Sequence, residues 1–300
     1  MPILPRIILI MLKITKILHL QLFLLPLSVA QPFDRAPELP QRVRQIVEWQ
    51  RSRLDGEPHN AAISRFDERG NLIEYTDFRD DDSVFSYTYD SQNRPLQCTE
   101  WIEGVEYQTT FQYRPDLHIS ERSFHDKTYR TCDYFRAGRL VEKKEFARGG
   151  ELAANHLLWR WTRFHYDGQN RLLREQIDHY AVNGARKGEQ LFTEIIRHHY
   201  DGRFLLYSQH FNAGESLRMV KYFRYDRQGR LLREIEHYPL EDRLDSTEYR
   251  YRGGKLWQRI EESENQRRVL VHVAGRPIRL RSYLDDELIG VVDYAYEYYR

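Results

Sequence analysis

From about residue 60 onward, apolar and polar side chains alternate one for one over short stretches, and each stretch halts at a cluster of turn-forming residues. Phe223-Arg224-Tyr225 and Leu231-Leu232-Arg233-Glu234-Ile235 show the pattern well. A period of two is the signature of a strand with one covered and one wetter face. Between these stretches lies Asp226-Arg227-Gln228-Gly229-Arg230. An Asp side chain accepts backbone hydrogen bonds from residues just ahead of it, and Gly or Asn tolerates positive φ. The pair of stretches therefore predicts a β-hairpin with a turn of three to five residues. The positions one and three before the Asp are mostly aromatic: Tyr89 and Tyr87, Tyr113 and Phe111, Tyr166 and Phe164, Tyr225 and Phe223, Tyr251 and Tyr249. Alternate positions carry Arg, Glu, His and Thr, as at Arg163, His165 and Arg224.

The hairpin recurs. Strong copies run over Tyr87–Leu96, Phe164–Leu172 and Phe223–Leu231, with weaker ones at Ser64–Leu72 and Tyr249–Leu256 and fainter ones elsewhere. The Asp, or the residue in its place, stands at 67, 90, 114, 136, 167, 201, 226, 252 and 274. Nine hairpins and a terminal half-unit predict an all-β fold: a repetitive antiparallel β-hairpin meander of about 18 to 20 strands, forming one long twisted or curled sheet. In front of it, Val43, Ile46, Val47 and Leu54 fall on one face of a helical wheel, which predicts a short helix near residues 41–54 lidding one end of the sheet. The expected organisation is a segment over 31–58 holding that helix, then a repeat domain over 59–300.

The stretches at 87–96, 164–172 and 223–231 resemble the YD (RHS) repeat, whose pattern is Tyr-x-Tyr-Asp-x-x-Gly-Arg-Leu. The resemblance implies a sheet built from hairpins, which in large members wraps into a shell around a toxin or binds surface carbohydrate. This sequence is short and shows no Asp-Pro-x-Gly motif, and no toxin domain is expected after the repeats. The expectation is thus an open, curved sheet without encapsulation.

Residues 1–30 read differently. A short apolar run over Ile17–Leu27 follows Lys13 and Lys16 and ends in Ser28-Val29-Ala30, the layout of a secretory signal peptide with cleavage after Ala30. An uncleaved anchor is the alternative, and Met11 is a second candidate start. Removing residues 1–30 leaves 43 basic against 45 acidic side chains. That balance offers no single-signed field for nucleic acid. No later apolar run reaches spanning length, so the mature chain is expected to be soluble and not membrane-spanning. The address is exported, periplasmic or extracellular, in keeping with a bacterial protein rich in Arg.

Chemistry is sparse. The chain lacks a Gly-rich phosphate loop, His-Glu-x-x-His and Gly-x-Ser-x-Gly. No catalytic residue, cofactor or metal is assigned. His198-His199 point to opposite faces of a strand. Cys98 and Cys132 fall on strands three apart, about 14 Å at 4.8 Å per strand, beyond the roughly 7 Å a disulfide spans, so two separate thiols are expected. The candidate binding surface consists of Trp101, Trp159, Trp161 and Trp257, which could stack on sugar rings, and His179, His210 and His237, which recur at the ends of three hairpins. The function expected is a non-catalytic exported binding or scaffold module whose partner is an envelope glycan or another protein. The alternatives are an outer-membrane β-barrel and an enzyme with an unrecognised site.

Overall fold

A computed structural model describes residues 43–52, 59–79, 83–125, 127–148, 156–182 and 187–298. The expected signal peptide and start lie outside them. The first strands are β1 (Val43–Ser52), β2 (His59–Phe66), β3 (Leu72–Asp77), β4 (Ser83–Tyr89) and β5 (Pro95–Ile102). There follow β6 (Val105–Arg114), β7 (Leu117–Phe124), β8 (Lys127–Arg136), β9 (Arg139–Arg148) and β10 (Leu157–Tyr166). The second half holds β11 (Leu172–Tyr180), β12 (Gln190–Asp201), β13 (Phe204–Phe211), β14 (Leu217–Tyr225) and β15 (Leu231–Tyr238). It ends with β16 (Arg243–Arg252), β17 (Lys255–Ser263), β18 (Gln266–Val273), β19 (Arg276–Leu284) and β20 (Glu287–Tyr298).

Every strand pairs antiparallel with its neighbours in sequence, and β1 pairs with both β2 and β20. The sheet is therefore a closed barrel of 20 strands. This corrects two expectations. The sheet is not open, and residues 43–52 form a strand where a helix was expected. The same residues that make a helical stripe also alternate: Val47 and Trp49 project to one side, Ile46 and Glu48 to the other. A helix would leave the edges of β2 and β20 without backbone partners. As a strand, β1 saturates both edges, and tertiary pairing overrides a local helical pattern.

The turns explain why the repeat works. In four of them an Asp stands first and its backbone N–H closes the loop on the carbonyl four residues on: Asp67, Asp90, Asp167 and Asp226. Its Oδ1 accepts two backbone N–H groups, at 2.8 and 2.9 Å from Gln92 and Arg94 in the Asp90 turn, and equally from Gln228 and Arg230 at Asp226. The fourth residue has positive φ, 61° at Asn93 and 81° at Gly229, where an L side chain other than Asn or Asp is rarely found. The last Arg then returns to the same carboxylate, with Nε donating to Oδ2 at 2.7 Å in the Asp90 turn and 2.6 Å in the Asp167 and Asp226 turns. All nine marker positions fall at a strand end or the turn beside it.

Hairpins are also tied to one another. The tyrosine before a turn reaches back to the backbone carbonyl just past an earlier turn: Tyr89 to Leu72 at 2.6 Å, Tyr166 to Leu140 at 2.9 Å and Tyr251 to Leu231 at 3.0 Å. The turn Arg stacks on the tyrosine of the next hairpin, Arg94 over Tyr113 at 4.6 Å and Arg230 over Tyr251 at 4.7 Å. Asp, Arg and the next Tyr thus form a latch that a single hairpin cannot complete.

Candidate functional site

Directly paired residues project to the same side of a sheet, so the register can be followed around the barrel. One side carries Phe85, Tyr107, Phe111, Tyr113, Phe164, Phe223, Tyr249 and Tyr294. Many of the buried residues belong to this tyrosine face, among them Ala62, Tyr75, Phe85, Cys98, Ile177 and Val292. It also holds charge. Glu100 is 0% exposed, and its Oε2 accepts from Arg122 Nη2 at 2.7 Å, while Arg122 lies over the Tyr107 ring. An isolated carboxylate at such a depth would be costly, and the guanidinium two strands away offsets that cost.

Across β12 to β18 this face carries one polar row in register: His198, Ser208, Lys221, Glu236, Asp245, Ser263 and Gln266. A second row beside it runs Glu234, Thr247, Glu261 and Arg268. Where the two rows meet, a depression of about 290 Å³ opens, lined by Glu234, Glu236, Asp245, Glu261, Arg259 and Arg268 among others. Most of its charges are tied to a partner. Lys221 Nζ bridges Glu234 at 2.7 Å and Glu236 at 3.1 Å, and Tyr249 and Tyr238 donate to the same two carboxylates. Ser263 donates to Asp245 at 2.5 Å, and Arg259 pairs with Glu261 at 2.7 Å. The strand period places acids and bases on one face here.

The proposed binding residues do not converge. Trp101 projects from the opposite face of β5 and is 47% exposed, beside Val84. Trp161 is also on the opposite face, between Lys144 and Arg163, whose cations sit 4.9 and 4.5 Å from its ring. Trp159 occupies the bulge between Leu158 and Arg160. Trp257 stands near the start of β17, under Arg252. His179 stacks on Phe192 at 4.3 Å, and His210 pairs across strands with Ile196 and Met219, both on the tyrosine face. His237 is on the other side, opposite Val220 and Leu244. Cys98 and Cys132 are separate, buried thiols on opposite faces. Among the described residues no group of three or more His, Cys, Asp or Glu is arranged to hold a metal ion.

Sequence reasoning missed the polar rows. Each row has one residue per strand, 21 to 28 positions apart on alternate strands, so it becomes visible only once register is fixed. The signal present in the sequence was limited to the charges themselves at Lys221, Glu234, Glu236 and Asp245.

No protein-family model matches the chain, and no curated protein matches it. Solved structures to which the chain is similar include a porin-like protein from Bacteroides uniformis ATCC 8492, at 12% identity and a TM-score of 0.38, covering 86% of this chain and 99% of that one. A porin-like protein from Bacteroides vulgatus ATCC 8482 is similar at 11% identity and a TM-score of 0.40, with the same coverage. The TcdB2-TccC3-Cdc42 structure is similar at 12% identity and a TM-score of 0.29, over 80% of this chain and 17% of that one.

Proposed function

We propose that the chain is an exported, closed β-barrel of the cell envelope, built on the outer-membrane plan, that holds a polar ligand on its tyrosine face. The observation that carries this reading is closure. An even number of antiparallel strands, each paired with its sequence neighbour and sealed by β1 on β20, is the construction of outer-membrane barrels. It supports the barrel alternative over an open scaffold sheet. The kinship to YD repeats rests on the recurring Asp–Arg–Tyr latch. The work proposed is binding without catalysis, because the acids of the depression are mostly engaged by Lys221, Arg259, Ser263 and tyrosine hydroxyls, which suits holding a ligand better than activating a nucleophile.

A second reading is favoured by one observation, the charge on both sides of the wall. On the opposite face of β11, Arg174 and Asp178 lie four residues apart, about 13 Å along a strand. A lipid-facing band needs about 25 Å of apolar wall. The tyrosine face of β15 presents Glu234 and Glu236. In this reading the same closed barrel has water on both faces and is held at the envelope by its partners.

Fractionation of cells expressing the full chain separates the two. Recovery in the outer-membrane fraction, resistant to high salt and alkaline carbonate and released by detergent, is the result expected of an inserted barrel. Release as a folded protein without detergent would replace insertion with the second reading. A folded chain with separated β1 and β20, shown by cross-linking across the seam, would overturn both.

A further inference from the structure

We infer that the depression between β15 and β18 binds a short peptide by its free carboxyl end, with Arg268 as the anchoring residue. The inference deepens the binding reading above and rests on it. Arg268 is exposed, lines the depression and has no hydrogen-bond or ion-pair partner among the described residues. The neighbouring cations are committed: Lys221 to Glu234 and Glu236, Arg259 to Glu261, Arg243 to Glu241 at 2.6 Å. One guanidinium is thus left for a ligand, and its fork matches a carboxylate in bidentate fashion.

The rest of the lining decides what kind of anion fits. Glu234, Glu236, Asp245 and Glu261 stand around the same space, and their carboxylates keep lone pairs beyond those their partners use. A compact dianion such as phosphate would be drawn to Arg268 and repelled by these walls. A simple cation would be repelled by Arg268. A neutral ligand would leave the guanidinium without a partner. A ligand with a carboxylate at one end and an ammonium at the other meets both signs.

Length follows from the strand spacing. Asp245 on β16 and Glu236 on β15 are two and three strands from Arg268 on β18, about 10 and 14 Å at 4.8 Å per strand. An extended peptide covers about 3.3 Å per residue, so three or four residues bridge from Arg268 to the acidic end. The axis of such a peptide lies across the strands, along the polar rows.

The test is calorimetric titration of the purified full chain with tri-alanine, its C-terminal amide and its N-acetyl derivative, at low salt. Tri-alanine is expected to bind, the amide to bind at least tenfold more weakly, and the acetylated peptide to lose less. Arg268→Ala should weaken tri-alanine as much as amidation does and should bind acid and amide alike. Arg268→Lys should restore part of the difference, while circular dichroism shows all three proteins equally folded. Equal binding of acid and amide by the unaltered chain, no binding of tri-alanine, or an Arg268→Ala protein that still discriminates would each overturn the inference. A glycan that binds independently of Arg268 would do so too, yet leave the binding-barrel reading standing. Failure of the barrel reading itself would show in the fractionation and seam cross-linking instead.

Discussion

The hairpins around Asp90, Asp167 and Asp226 and the seam around β1 close the same sheet by different means. In the hairpins, each turn is fixed by an Asp that takes two backbone N–H groups and an Arg, and the Arg is stacked on the next tyrosine. Among the described residues the seam contains no such turn. Instead a row of small and apolar residues crosses it in register on the opposite face: Ala295, Val47, Ile63, Thr76, Val84 and Trp101. On its other face Glu48 sits opposite Ala62 and Tyr294 and pairs with Arg79 at 3.5 Å. Repeats supply local order that is complete within about two hairpins. The seam joins residues some 250 positions apart and depends mainly on strand pairing and packing, with ion pairs such as Arg44 to Glu297 at 3.5 Å added across it. Closure is therefore the step with the largest loop-closure cost and the least local support.

The most damaging single change is expected at the seam. Val47 pairs with Ile63 on one side and Ala295 on the other. Val47→Pro removes a ladder N–H, leaves a carbonyl on a neighbouring strand unsatisfied and places the ring against that backbone, costing about 3 kcal/mol or more. Hydrogen exchange should show β1, β2 and β20 losing protection together, while β14 and β15 keep theirs. Uniform loss across all 20 strands would mean that seam and repeats form one cooperative unit.

Acid should act the other way, loosening the repeats before the seam. The carboxyls of Asp90, Asp167 and Asp226 are held below the ordinary aspartate range, chiefly by the backbone N–H four residues on, and by the Arg side chain and a second N–H. A carboxyl with a depressed folded-state pKa contributes stability that is complete above the unfolded value, near 3.9, and is lost as pH falls through the folded value. Melting temperature should hold above about pH 5 and fall below about pH 4. Asp→Asn at these three positions together should flatten that fall. An unchanged acid limb would show that the turns carry none of it.

How much of this was legible in the sequence divides along the same line. Each hairpin was readable because its whole cause lies within ten residues: Tyr-x-Tyr, then Asp, Gly or Asn, and Arg. The strand number followed from counting those units. Closure was not readable, because the pairing of Val47 with Ala295 leaves no local mark, and the same ten residues from Val43 to Ser52 satisfy a helical wheel and a strand equally. The candidate site fared likewise. Single tryptophans and histidines stood out by residue type, and register placed them on different faces. Lys221, Asp245 and Arg268 looked like ordinary surface charges until register gathered them.

The finest test of the comparison is the tyrosine hydroxyl that joins one hairpin to the next. Tyr251 is half-buried, donates to the Leu231 carbonyl at 3.0 Å and lies under Arg230. Tyr251→Phe keeps the ring, its packing and its stacking with Arg230, and deletes only the hydrogen bond. The expected loss is about 1 kcal/mol, the net worth of one such bond. It should appear as a small drop in melting temperature with closure intact. Adding Asp226→Ala tests whether turn and hydroxyl work as one latch. The Arg230 guanidinium links them, so the double variant should lose less than the two single losses together. Strict additivity would mean that the turn and the inter-hairpin bond are independent, and that the repeats, like the seam, are held mainly by strand pairing and packing.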